Sequence, residues 1–292
     1  MNGRTCPYDI AASVVLYKTD PAELEAVVQC LMNASLRVKT VIVDNSPTDA
    51  LRSLCNRLEV EYVFTGKNIG FGAAHNIAIN RLSVYNLKYH LVLNPDVVFS
   101  PEIIYELFAF LELNKSVGLV MPRVIYPDGS IQKLCKKLPS PFDILVKRLV
   151  PSSKKRLFQG SISSYELENM DMARVISVPF LSGCFMFLRI SALQKVGLFD
   201  ERFFIYFEDL DLSRRIHVSY RTVYYPYVTI VHRHEKGSYK STKLLYCGII
   251  SAVRYFNKWG WIRDEQRSLI NNSIDYIDNL VQLPDGRNPL EG

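Results

Sequence analysis

Four short polar clusters in this sequence carry residue types that do chemistry together, and each follows an apolar run. They are Lys18-Thr19-Asp20, Asp44-Asn45-Ser46, the Asn68/Gly70/Gly72 loop and Asn94-Pro95-Asp96. A fifth, Glu208-Asp209, is followed by Asp211 and Arg215, and His232 and His234 close the series. In an open parallel sheet, ligands sit beyond the carboxyl ends of the strands, so polar groups there count for more than polar groups elsewhere. Carboxylates and amides at successive strand ends point to a nucleotide or sugar site. Two other nucleotide chemistries are excluded. A dinucleotide-binding GxGxxG should follow the first strand directly, whereas this chain has YKTDPAE there and its GFGAAH (70–75) comes late without the last glycine. The phosphate loop GxxxxGK[ST] is absent.

These clusters need elements to hold them, and the hydrophobic pattern supplies an alternating series. Residues 10–17, 38–45, 60–65, 89–94 and 117–122 read as buried strands, with helices over 22–32, 49–58, 71–86 and 101–113 between them. Pro21 and Ser100-Pro101 mark helix starts. The rhythm predicts an α/β fold with a doubly wound, mainly parallel sheet. The second half changes character. YPDGS (126–130) reads as a hairpin turn, 174–190 as two strands, 191–197 and 208–217 as helices, 222–225 and 228–233 as strands, and 241–258 and 263–282 as two closing helices. The last residues, 284–292, read as a mobile tail.

Composition agrees with a globular chain: of 292 residues, 48% are hydrophobic and 22% charged. No apolar run reaches the roughly 18 residues that a spanning helix needs, and the N-terminus lacks a secretory signal, so a cytoplasmic protein is expected. Six scattered cysteines without a CxxC pair fit reduced thiols rather than a zinc ribbon. The net charge of +6 is concentrated between 132 and 158, where Lys133, Lys136, Lys137, Lys147, Arg148, Lys154, Lys155 and Arg156 face Asp143 alone. Basic and apolar residues interleave in FDILVKRLV (142–150), a pattern suited to an anionic membrane surface; a solvated loop is the alternative. No zinc finger, RNA-recognition signature or clear helix-turn-helix is present, so nucleic acid is not the expected partner.

Seven segments in order, VVLYKTD (14–20), VIVDNSPTD (41–49), NIGFGAAHN (68–76), LVLNPDVVF (91–99), FLSGCFMFLR (180–189), FDERFFIYFEDLDLSRR (199–215) and HRHEKGS (232–238), resemble the inverting family 2 glycosyltransferases of the GT-A fold. The resemblance spans about residues 9–240 and is nearest to bacterial rhamnosyltransferases of polysaccharide and O-antigen assembly. It implies a GT-A-like, mainly parallel nucleotide-binding sheet flanked by helices (9–122), merged with an acceptor-binding half that carries the catalytic base (123–240), then C-terminal helices (241–283). It implies transfer of a hexose, L-rhamnose from dTDP-L-rhamnose or a sugar from a UDP donor, to a polyprenyl-diphosphate-linked saccharide at the inner face of the membrane, with the protein peripheral there.

The same resemblance assigns roles. Asp209 matches the general base, with Glu208 orienting it or holding an acceptor hydroxyl. Asp96 stands at the DXD metal motif and would bind Mg²⁺ or Mn²⁺; Asn94 replaces its first carboxylate and would instead meet ribose or water. Asp44 matches the acid that accepts from a pyrimidine imide N–H, and a turn or capping Asp is its alternative. Tyr17 and Asp20 end the first strand beside the nucleoside, although core packing serves Tyr17 equally well. Asn68, Gly70, Gly72 and Asn76 match the segment along ribose and diphosphate, where glycines let the backbone approach a ligand. His75 is a variable position with no catalytic role. His232 matches a metal-ligating or diphosphate-contacting histidine, with His234 its competitor. Ser182 and Gly183 lie in the acceptor half. Arg215 either pairs with Asp211 four residues back or faces the acceptor. A sugar nucleotidyltransferase would need a glycine- and arginine-rich loop after the first strand, which is absent; a non-catalytic nucleotide or glycan-binding module would not need Asp209.

Overall fold

The computed structural model describes residues 6–233 and 242–277. His234, the end of the last sequence motif and the expected tail at 284–292 lie outside them. The first half follows the expected rhythm: β1 (Ile10–Leu16), α1 (Pro21–Met32), β2 (Val38–Asp44), α2 (Arg52–Arg57), β3 (Glu61–Phe64), α3 (Phe71–Leu82), β4 (Tyr89–Leu93), β5 (Val97–Val98), α4 (Glu102–Leu113) and β6 (Val117–Ile125). Then come α5 (Pro141–Leu149), a 3₁₀ segment (Ser152–Phe158), α6 (Gln159–Tyr165), β7 (Ile176–Ser177), β8 (Phe185–Arg189), α7 (Ile190–Val196), α8 (Glu208–His217), β9 (Arg221–His232), α9 (Thr242–Trp259), α10 (Glu265–Asn272) and β10 (Asp275–Tyr276).

The strands form one mixed sheet in the order β10-β7-β9-β6-β8-β4-β1-β2-β3, with β5 on β9. The β3-β2-β1-β4 block is parallel throughout, which is why its strands read as unbroken apolar runs, covered on both faces. Antiparallel β8 joins this block to the parallel pair β6-β9. A boundary at 122–123 falls inside β6, so the two halves share one sheet.

Three elements differ from expectation. The segments 222–225 and 228–233 are one strand, β9, whose register against β6 slips between Pro122–Tyr225 and Arg123–Thr229. Pro226 has no N–H for the ladder, and a bulge accommodates it. The basic stretch is largely helical rather than a loop; Ser140 and Asp143 form a capping box that starts α5. The last helix stops at Asn272, and the chain adds β10 to the sheet edge, where Tyr276 stacks under Arg174 at 3.9 Å. Among the described residues no helix is long and apolar enough to cross a membrane.

Candidate active site

The carboxyl ends of β1, β2 and β3 open on one edge of the sheet, and a cavity of about 510 Å³ lies there. Tyr17, Asn45, Lys67 and Asn68 line it, with Phe204 from the segment before α8 and Lys243 and Cys247 from the first turns of α9. Tyr17 is 49% exposed, so core packing is not its role. Lys67 and Lys243 bring cations that no motif marked. The signal was weak: an isolated lysine in a loop, and another on a helix distant in sequence.

Several expected donor contacts are engaged elsewhere. Asp44 is fully buried; its Oδ1 accepts from the Ser46 N–H at 2.8 Å and its Oδ2 from the Tyr62 hydroxyl at 2.6 Å. Its turn-forming alternative is thus what the structure builds, and the neighbouring Asn45 reaches the cavity. Asp20 is the N-cap of α1, accepting from the Ala22 N–H at 2.7 Å. Asn68 does line the cavity, while its Oδ1 also holds the Gly70 N–H at 3.0 Å.

The glycine motif at α3 serves a different purpose from the expected one. Gly70 has φ +97°, and a Cβ there would stand 2.4 Å from the Phe204 carbonyl oxygen. A Cβ on Gly72 would stand 2.8 Å from that of Phe199. Asn76 donates to the Phe199 carbonyl and Glu201 Oε1, both at 2.9 Å, and accepts from the Phe199 N–H at 3.0 Å. The Phe71 N–H donates to the Phe204 carbonyl at 3.0 Å. Gly70, Gly72 and Asn76 therefore let the chain's own 199–208 segment approach α3, rather than a ligand backbone contact. They clamp the second half of the protein onto the first.

That segment carries the acidic pair. Tyr206 and Phe207 both have positive φ, +65° and +70°, a strained turn that delivers Glu208 and Asp209 to the first turn of α8. Asp209 is held by the protein backbone: the Gly183 N–H donates to Oδ2 at 3.0 Å and the Leu210 N–H to Oδ1 at 2.8 Å. Burial raises its pKa against these hydrogen bonds and against the cation of Lys136. Glu208 is buried beside α3, where burial and then the charge of Asp209 push its pKa well up. Its Oε2 has no hydrogen-bond partner. The orientation of Asp209 thus comes from Gly183 and Leu210, not from Glu208. Gly183 is small for the same reason: a Cβ would meet the Phe71 ring at 3.1 Å and the Asp209 Cβ at 3.4 Å. Ser182 sits beside it, and the Cys184 carbonyl accepts from the Asn94 N–H at 3.0 Å, which brings the two halves edge to edge.

Arg215 does not face an acceptor. Its guanidinium binds Asp211 at 2.8 Å and the carbonyls of Val196, Gly197 and Leu198 at 2.6–3.0 Å, closing the end of α7. Asp211 is fully buried and also meets Lys258 at 2.7 Å and Trp259 Nε1 at 2.8 Å, so α9 braces α8.

Asp96 and His232 do come together, because β5 pairs Val97 with His232. Asp96 Oδ2 and His232 Nε2 are 3.4 Å apart. Gln132, buried, fixes the ring. Its amide nitrogen donates to the carbonyls of His232 at 2.7 Å and Ile125 at 3.3 Å, which leaves its Oε1 to accept from His232 Nδ1–H at 3.0 Å. In the Nδ1–H tautomer that this bond selects, the Nε2 lone pair is turned toward Asp96. A carboxylate oxygen and an imidazole lone pair at this separation fit a divalent cation. Among the described residues no group of three or more His, Cys, Asp or Glu side chains is placed to hold one. A two-residue site leaves the remaining positions to phosphate oxygens and water, as is usual for Mg²⁺ with nucleotides.

Part of the basic stretch is engaged within the fold, while Lys133, Lys154 and Arg156 remain exposed. Lys133 pairs with Glu168, Lys147 with Glu166 at 2.9 Å, Lys137 donates to Ser164 at 2.9 Å and Arg148 lies over the Tyr206 ring at 4.8 Å. Lys136 is half-buried beside Phe180, and burial with the neighbouring Lys147 lowers its pKa to about 7. The expected cationic membrane face is correspondingly reduced.

A nucleotide-sized cavity at parallel strand ends and a backbone-held carboxylate in the second half are parts that a sugar transferase needs. Residues 14–197 match the family model for glycosyl transferase family 2, and the chain belongs to that family. It is 29% identical over 232 residues to N-acetylglucosaminyl-diphospho-decaprenol L-rhamnosyltransferase of Mycobacterium tuberculosis, covering 75% of this chain and 74% of the relative. It is 24% identical over 253 residues to the rhamnosyltransferase WbbL of Escherichia coli, covering 83% and 88%. It thus resembles rhamnosyltransferases. Among solved structures, the mannosyltransferase PcManGT of Pyrobaculum calidifontis with GDP-Man and Mn²⁺ superimposes with a TM-score of 0.55 at 16% identity, over 85% of this chain and 64% of that one. GalNAc-T7 with UDP, GalNAc and Mn²⁺ gives 0.63 at 14% identity, over 90% and 50%. The fold is GT-A-like; the chain spans less than two thirds of either solved protein.

Proposed function

We propose that the protein is an inverting rhamnosyltransferase, moving L-rhamnose from dTDP-L-rhamnose to a polyprenyl-diphosphate-linked saccharide in cell-surface polysaccharide synthesis. The observation that carries it is Asp209, held by two backbone N–H groups at the start of α8, just after the segment whose Phe204 lines the nucleotide-sized cavity. The two rhamnosyltransferase relatives support the sugar, and the decaprenol-linked substrate in the name of the mycobacterial one supports the lipid-linked acceptor.

In this reading Tyr17, Asn45 and Asn68 border the nucleoside, and Asn94 faces ribose or water. Lys67 and Lys243 add positive charge near the diphosphate. Asp96 and His232 would hold Mg²⁺ or Mn²⁺, and the cation would supply charge stabilisation to a departing diphosphate. Asp209 accepts the proton of the acceptor hydroxyl as that oxygen attacks the anomeric carbon, and burial, which raises its pKa, makes it a stronger base than a free carboxylate. Single displacement inverts the anomeric configuration and needs no nucleophilic side chain, consistent with Cys184 being buried with its thiol pushed up to about 12.

Membrane contact, in this reading, uses apolar side chains more than the basic stretch. On α9, Tyr246, Ile249 and Val253 are exposed at helical spacing, and on α5 Phe142 and Leu145 are exposed. Arg148 of α5 lies against Gly248 of α9, and Ile144 packs in the cluster of Ala252, so the helices run side by side. Trp261 and Ile262 extend the patch, and Lys154 and Arg156 are exposed nearby in sequence.

The test is turnover with dTDP-L-rhamnose, UDP-glucose, UDP-N-acetylglucosamine and GDP-mannose, using a short-chain lipid-diphosphate N-acetylglucosamine as acceptor. The reading expects transfer from dTDP-L-rhamnose, dependent on Mn²⁺ or Mg²⁺, with inverted anomeric configuration by NMR. Transfer from a UDP-hexose alone would replace the donor assignment.

A further inference from the structure

A second cavity, of about 240 Å³, lies between α5 and α6, apart from the nucleotide cavity. Asp143, Lys147, Ser161, Tyr165 and Glu166 line it with two aliphatic side chains. Its polar groups are already organised. Ser161 donates to Asp143 Oδ1 at 3.1 Å, and Lys147 donates to Glu166 Oε1 at 2.9 Å while its ammonium lies 5.5 Å from the centre of the Tyr165 ring. With Lys136 beside Lys147, two carboxylates are balanced by two ammonium groups, so the cavity has no charge preference for an ion of either sign. Hydroxyl, carboxylate and ammonium groups around an aromatic ring suit a neutral polyol, whose hydroxyls both donate and accept and whose C–H face packs on the ring.

The cavity is connected to the catalytic carboxylate by two consecutive residues. The Lys137 N–H donates to the Tyr165 carbonyl at 3.1 Å, at the cavity wall. The Lys136 N–H donates to the Phe180 carbonyl at 3.2 Å, and its ammonium lies 5.7 Å from that ring. Phe180 leads directly to Gly183, whose N–H holds Asp209 at 3.0 Å. Nothing in the motifs of the first half pointed here: the cavity lies partly in the 132–158 stretch that the charge pattern assigned to a surface and partly in α6 beyond it.

We propose that this cavity is the acceptor subsite, holding a neutral, hydroxyl-rich sugar ring of the acceptor whose reactive hydroxyl points out of the cavity, past Lys136, toward Asp209. This rests on the transferase reading above. The outward face of α5, with Phe142 and Leu145 exposed, would then lie toward the lipid part of the same acceptor.

The test uses the full chain, Ser161→Trp to fill the cavity and Glu166→Gln to remove one acceptor group. The probe is the short-chain lipid-diphosphate N-acetylglucosamine, followed by saturation-transfer NMR for binding and by steady-state kinetics for transfer. The expected result is at least a tenfold rise in acceptor Kd and KM in each variant, with dTDP affinity and circular dichroism unchanged. Wild-type acceptor affinity in a folded Ser161→Trp protein, or in Glu166→Gln should the first not fold, overturns the proposal. Transfer that is insensitive to both variants removes the subsite and leaves the transferase reading intact. Acceptor binding lost in the variants, in a wild type that transfers no sugar, supports the subsite and removes the transferase reading.

Discussion

Replacing Gln132 by Leu tests how the histidine of the proposed metal site is prepared. The change is near in volume but deletes three hydrogen bonds: donations to the His232 and Ile125 carbonyls at 2.7 and 3.3 Å, and acceptance from His232 Nδ1 at 3.0 Å. The first two hold buried backbone, and losing them costs about 1–3 kcal/mol of stability. For a protein of this size that lowers Tm by several degrees. The third sets the ring's tautomer and direction, and loss of such an outer partner weakens metal binding by about 10–100-fold, or roughly 1.4–2.7 kcal/mol. The assay is calorimetric titration of Mn²⁺ into protein saturated with dTDP. Gln132→Glu is the informative companion: it loses the two donations but keeps an acceptor for Nδ1, so it should share the stability loss while retaining most of the Mn²⁺ affinity. Wild-type Mn²⁺ affinity in Gln132→Leu would refute the assignment of His232 as a ligand oriented by Gln132.

Other consequences follow from the same geometry. Gly70→Ala forces a Cβ to 2.4 Å from the Phe204 carbonyl at φ +97°, whereas Gly129 has φ +84° with nothing within 4 Å; chemical denaturation should therefore show about 3 kcal/mol lost in the first and about 1 in the second, with kcat falling only for Gly70→Ala. Burial keeps His90 neutral down to a pKa of about 3 and holds His75 well below its usual value, both sharing hydrogen bonds at 2.7 Å with Ser13. The unfolded chain protonates these rings near pH 6.5 and the folded one does not, so their stabilisation is complete above pH 6.5 and declines as pH falls; about 2 kcal/mol per ring should be gone at pH 5, and equal urea midpoints at pH 7.5 and 5 would contradict it. Ile249→Asp with Val253→Asp should reduce binding to phosphatidylglycerol vesicles about tenfold in co-sedimentation, and unchanged binding would remove the α9 face from the membrane account.

The parallel block was legible because strands covered on both faces must be apolar along their whole length, and the residues beyond them could be located from that pattern alone. Asp96 with His232 and Asp209 with Gly183 were legible only as members of motifs; no spacing rule brings Val97 to His232 across the sheet. The glycines of α3 show the limit of reading a motif by residue type. Gly70 and Gly72 do allow close approach, but to Phe204 and Phe199, a contact set by tertiary packing between segments more than a hundred residues apart. Arg215 was ambiguous for a related reason: helical spacing showed its pairing with Asp211 but not the three carbonyls at the end of α7. The basic stretch misled because charge counts say nothing of partners, and Glu166 and Glu168, which neutralise Lys147 and Lys133, lie just beyond the window that was counted.

The most direct test of the central claim is Asp209→Asn, assayed for sugar transfer and for dTDP binding on the same preparation. The carboxamide oxygen can still accept from the Gly183 N–H but cannot take a proton. The account predicts a fall in kcat of about 10²–10⁴-fold with dTDP affinity within twofold of wild type. Transfer near the wild-type rate, or a parallel loss of nucleotide binding, would contradict Asp209 as the base.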